Sequence, residues 1–177
     1  DGEITVEDKT YIGDPIPELT MGLNLGFNYK NIDFNASAFA SIGNDMVRDY
    51  ERKNLFSNKG TYVLDRWTPT NPSNTIPRAV NGSSINYDNF SDYFVEDASY
   101  VRIQNIQVGY TFNQELISKI GVTKLRLYAS GNNLFTFTKY RGYDPSAVGG
   151  GGPIGSGVDK GFYPVAKTFL LGMNLNF

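Results

Sequence analysis

The sequence predicts an all-β chain of about five antiparallel strands that belong to a large transmembrane β-barrel and cannot close a barrel alone. Three observations predict it. Apolar and polar residues alternate with period two over long runs, the clearest being Leu19–Tyr29, LTMGLNLGFNY, in which no residue is charged. The connections between runs alternate in length: 30–32 and 113–124 are short, 42–98 and 138–167 are long. Aromatic residues mark the ends of the runs, at Phe27, Tyr29, Tyr110, Phe112, Phe137, Phe169 and Phe177, as interfacial girdles do.

The strands follow in order. Over 19–29 every odd residue is apolar and every even one is Thr, Gly or Asn. After the turn 30–32, residues 33–41 put Phe34, Ala36, Ala38 and Ala40 on one face and Asp33, Asn35 and Ser37 on the other, with Phe39 breaking the pattern. Residues 42–98 are irregular. A short helix is expected from about 45 to 55, followed by a stretch rich in Pro, Asn and Ser that includes Asn81-Gly82. The next strand, 99–112, carries Val101 and Ile103 in one phase and Ile106, Val108, Tyr110 and Phe112 in the other. The switch near Gln104-Asn105 predicts a bulge, or the point where the strand leaves one environment for another. A helical turn around 116–120, closed by Gly121, precedes the strand 125–137. The last strand covers 167–177, with Phe169, Leu171, Met173, Leu175 and Phe177 on one face.

Alternation by itself also fits a soluble β-sandwich. Length argues for the membrane: eleven residues span about 36 Å, which at a tilt of about 45° covers roughly 25 Å of bilayer. The polar face carries Asn, Gly, Ser and Thr more than Lys and Glu, which suits a barrel lumen, and Asp33 and Arg126 fall on that face. Arg102 lies at the phase switch and is expected near the outer rim. Long loops are expected outside the cell, with the last strand running toward the periplasm. Five strands leave unpaired edges that lipid does not tolerate, so the remaining strands must come from elsewhere. The chain has no Cys and no His, which excludes disulfides, thiolate metal sites and a Ser-His-Asp triad within it. A net charge of −2 offers no footprint for nucleic acid. The chain is read as no enzyme, with no cofactor and no metal.

Several segments resemble one family. SGNNLFTFTKYRGYDP, 130–145, resembles the penultimate-strand motif of TonB-dependent outer-membrane transporters, and Gly142 to Pro145 resembles their SusC/RagA branch. Residues 11–45 resemble that branch's late-barrel hairpin, RWTPTNPSNTIPRA at 66–79 its proline-rich extracellular loop, 95–112 the strand after it, and 162–177 its final strand. The resemblance implies that 1–177 is the C-terminal part of a barrel of about 22 strands enclosing a plug domain. It also implies an outer-membrane location with a periplasmic C-terminus, a SusD-like surface lipoprotein as lid, and TonB engaged through upstream segments. Import of glycans or peptides is the implied activity. A non-transporting adhesive barrel and a soluble carbohydrate-binding sandwich are the alternatives.

Candidate contact residues follow from composition and this resemblance. Trp67, Tyr62, Tyr87, Phe90 and Tyr93 in the first long loop, and Tyr140, Tyr143 and Phe162 in the second, could stack on cargo or meet the lid. The plainer reading is that they pack their loops. Asp88, Asp92, Glu96 and Asp97 match no calcium-loop spacing and read as a solvated face. Asn132, Asn133, Leu134 and Phe135 are expected to close a strand and pack the loop above it. GGGG at 149–152 lacks the GK[ST] of a phosphate loop. Phe177, with Leu175 and Met173, resembles the terminal signal read by the barrel-assembly machinery.

Overall fold

The computed structural model describes residues 5–50, 58–80, 90–146 and 156–177. Its strands are β1 (Leu19–Tyr29), β2 (Ile32–Ile42), β3 (Asp45–Arg48), β4 (Val95–Asp97), β5 (Tyr100–Thr111), β6 (Lys124–Thr138), β7 (Val158–Asp159) and β8 (Thr168–Asn176). Among the described residues a short α-helix, α1 (Gln114–Ile117), runs into the 3₁₀ turn Ser118–Ile120. The five long strands form one antiparallel sheet in the order β1-β2-β5-β6-β8, so each lies beside the next in the chain. The three short ones form a separate sheet, β4-β3-β7, with β3 and β7 parallel.

Register puts the two kinds of side chain on opposite faces of the long sheet. Leu25 pairs with Ala36, Ala36 with Ile106, Ile106 with Gly131 and Gly131 with Phe169. One face is apolar across all five strands and carries no charge within the paired region. The opposite face carries Asn24, Ser37, Asn105, Asn132 and Thr168 at the same height. The phase switch in β5 is a bulge. Gln104 has no partner, so Ile103 and Ile106 both reach the apolar face. β6 answers with its own irregularity at Asn133, whose φ of 54° lies in the left-handed region that Asn tolerates. The strand runs to Thr138, one residue past the end read from the sequence, so Asn132, Asn133, Leu134 and Phe135 lie within it and do not close it.

The long sheet has no core of its own. Leu23, Leu25, Phe27 and Met173 are each more than half exposed, and no element among the described residues covers their face. A sandwich requires a second sheet packed against that face, so the soluble-sandwich alternative is set aside. The buried core, Met46, Ala98 and Tyr140, lies instead at the loop end of the sheet. There a second expectation is corrected: 45–48 is the strand β3 and not the start of a helix. Its backbone finds partners on both sides, in β4 and β7, and alternation buries Met46 and Arg48. Residues 51–57, where that helix was expected to continue, lie outside the described residues.

Candidate cargo and partner surface

Two charged clusters fix the loops at this end. The first joins the last long loop to the wall. Arg102 lies on the polar face of β5, opposite Phe39 and Thr136. Its Nη2 meets Asp144 Oδ1 at 2.6 Å, its Nε donates to Thr136 Oγ1 at 2.9 Å and its Nη1 to Ser146 Oγ at 2.9 Å. Its guanidinium also lies 5.2 Å from the ring centroid of Tyr100. Asp144 in turn accepts from the Ser146 N–H and hydroxyl and from the Val165 N–H. Burial pushes the Asp144 carboxyl up, but these donors and Arg102 outweigh it and hold it below the usual carboxylate range.

The second cluster ties β3 to three other segments. Arg48, 2% exposed, meets Glu96 of β4 at 3.0 Å and donates to the Tyr62 hydroxyl and the Tyr93 carbonyl, each at 2.9 Å. Arg141 takes the same Glu96 oxygen at 2.6 Å, and its N–H donates to the other at 3.1 Å. Both guanidinium groups lie against the Tyr62 ring, at 5.2 and 4.9 Å from its centroid. Beside them Asp159, 1% exposed, accepts from the Tyr140 hydroxyl at 2.7 Å and from the Gly161 and Phe162 N–H groups. Burial, with Asp159 beside it, keeps the Tyr140 phenol protonated well beyond its ordinary range.

The candidate aromatics divide by what they touch. Tyr62 and Tyr93 converge on Arg48, and Tyr140 sits in the small core. Trp67 stays partly exposed in a tight loop whose backbone bonds join Trp67 to Ile76 and Thr68 to Asn71. Phe90 and Tyr143 are largely exposed; Phe162 is half-buried. Tyr143 lines a cavity of about 260 Å³ together with Arg102, Asp144, Thr136, Val165 and Lys167. Tyr87 and Asp88 lie outside the described residues. Glu96 departs from the solvated face read in the sequence, because two arginines claim it. Asp97 instead accepts from the Ser99 N–H at 2.9 Å. Met173, Leu175 and Phe177 lie on the apolar side of β8, at the free edge of the sheet.

No family model matches the chain. It is 36% identical to the TonB-dependent receptor P3 of Formosa agariphila over 184 residues, covering 99% of this chain and 18% of that protein. It is also 36% identical to the TonB-dependent receptor SusC of Bacteroides thetaiotaomicron over 182 residues, covering 99% of this chain and 17% of that one. Among solved structures, the RagAB peptide transporter superposes with a TM-score of 0.79 at 26% identity, over 100% of this chain and 19% of its own. The chain is a barrel segment of the SusC/RagA type of TonB-dependent receptor. It spans a little under a fifth of the relatives it matches.

Within this SusC-type segment, the residues that sequence reasoning missed are the charged ones. Arg48, Arg141 and Asp159 stand in no motif that marks them, and Glu96 reads as part of a solvated acidic face. Asp144 is marked in the sequence only as part of GYDP. The sequence offers no clear signal for Arg48, which stands in the charge-rich run NDMVRDYERK, where a buried arginine and a solvated one read alike.

Proposed function

We propose that the protein containing this chain imports cargo, oligopeptide or glycan, across the outer membrane with energy passed through TonB, and that a SusD-like lipoprotein covers it. The observation that carries the reading is the match over essentially the whole chain to SusC and to a peptide importer, at 36% and 26% identity. This segment's part is structural and positional. It supplies wall, with an apolar face for lipid and an amide-rich face for the lumen. It also holds two loops rigid, through Arg102–Asp144 and Arg48–Glu96–Arg141, at the end we place outside the cell. On that orientation β8 runs from outside to periplasm. Exposed Trp67, Phe90 and Tyr143 are the aromatics positioned to meet cargo or lid. The RagAB likeness favours peptide, since that relative is described as a peptide importer.

Uptake decides this reading. Cells lacking the full-length receptor are offered fluorescent oligopeptides and, separately, fluorescent maltooligosaccharides. Loss of one uptake, reproduced by disabling TonB, is the expected result. A folded outer-membrane barrel whose deletion changes neither uptake but abolishes surface attachment would support the adhesive alternative instead.

A further inference from the structure

The connection between β5 and β6 has more apolar surface than a turn in water needs. In α1 and the 3₁₀ turn after it, Ile117 is buried, but Leu116 and Ile120 are 65% and 72% exposed. Glu115 and Lys119, each next to one of them in the chain, are exposed as well. The missing barrel strands cannot cover Leu116 and Ile120, because strands already flank this turn. On one side the Thr111 N–H donates to the Asn31 carbonyl of the β1–β2 turn, and the Asn31 and Asn113 side chains are joined. On the other the Thr123 N–H donates to the Asn176 carbonyl of β8. New strands add at the free edges of β1 and β8.

The height of the apolar band places the turn. Lys167 shares the phase of Phe169, and its Nζ lies 5.9 Å from the centroid of Phe135 on the apolar face. A cation on that face is tolerated only near an interface, so Lys167 marks one boundary of the hydrocarbon. Ten residues on, at about 3.4 Å each and a tilt of about 40°, the strand has crossed roughly 26 Å, the height of the lipid band, and has reached Phe177. Level with that boundary, β5 and β6 have ended and the turn has begun. The last apolar-face residues there, Tyr110, Phe112 and Leu125, lead directly into it. The polar face at the same end carries Lys124, Arg126 and Asp33, which offer no partner to exposed Leu and Ile.

We infer that this turn is an interfacial anchor: Leu116 and Ile120 enter the phospholipid leaflet at the periplasmic boundary, while Glu115 and Lys119 stay in the headgroup and water. The inference rests on the membrane reading of the sheet, so the experiment carries a control for it. In the full-length receptor, freed of other cysteines and reconstituted in phospholipid bilayers, nitroxides are attached singly to Leu116→Cys, Ile120→Cys, Glu115→Cys, Lys119→Cys and Leu171→Cys. Collisions with oxygen, which concentrates in lipid, are compared with collisions with a nickel chelate, which stays in water. Labels at 116 and 120 are expected to favour oxygen, as at 171, and those at 115 and 119 nickel. Nickel preference at 116 and 120 with oxygen preference at 171 overturns the anchor alone. Shielding of 116 and 120 from both reagents overturns it in favour of a protein cover. Nickel preference at 171 overturns the membrane reading beneath it.

Discussion

Asp33 and Arg126 sit on β2 and β6, with β5 between them. Their side chains meet at 2.5 and 2.8 Å over Gly109, the β5 residue that pairs with Asp33. A Cβ at 109 would come 2.4 Å from Asp33 Oδ1 and 2.5 Å from Arg126 Nη2. The glycine is therefore the gap through which two strands exchange charge across a third. Gly172 plays a similar part for Tyr128, its partner across the pair, whose ring occupies the space a side chain would take. Gly109→Ala is expected to push the ion pair apart and cost about 1–3 kcal/mol, the usual range for overpacking. The cost appears as a lower transition temperature in the heat-modifiability of the full-length barrel. An unchanged transition would mean that the pair yields without cost.

At the scale of elements, Asp144 ties the two ends of the loop from β6 to β8 to the wall at Arg102. Asp144 collects the Ser146 and Val165 N–H groups and presents Oδ1 to Arg102. Asp144→Asn keeps the shape but leaves Arg102 without its counter-charge in a half-dry setting. Breaking such pairs costs about 3–5 kcal/mol when buried. Hydrogen exchange should then quicken over 139–146 with the strands unaffected. The sign of the pH dependence follows from the depressed carboxyl. The tie is at full strength above the ordinary aspartate value near 3.9 and is lost only as pH falls through the lower folded value. Protection of this loop in the wild type is therefore expected to persist down to about pH 4. Loss between pH 7 and 5 would contradict the assignment. The helix expected at 45–55 failed over its first residues for a reason visible in β3: Met46 and Arg48 alternate with period two, but only three strands meeting there give that short alternation a partner on each side.

As a whole the segment is an open sheet with two free edges and an uncovered apolar face, stable only when lipid and further strands supply what it lacks. Two adjacent residues of β8 test this. Leu171 lies on the apolar face, 89% exposed, and Leu170 on the polar face. Leu171→Arg should cost about 2–4 kcal/mol near the bilayer midplane and lower the yield of inserted barrel. Leu170→Arg, turned to the lumen, should leave that yield near normal. Equal losses from both would mean that the two faces do not see different solvents.

The sequence by itself determined the long strands, their faces and the phase switch near Gln104, because period-two alternation and its phase are local properties that eleven residues can carry. It also carried the family, through contiguous motifs such as GYDP. Tertiary structure alone decided the rest. The small sheet and the clusters around Arg48 and Arg102 join residues distant in the chain, such as Arg102 with Thr136, 34 positions on, and Arg48 with Glu96, 48 positions on. Short strands and single charges have no period to read. Their place is set by the partner that completes a hydrogen bond or cancels a charge, and that partner is found only once the chain has folded.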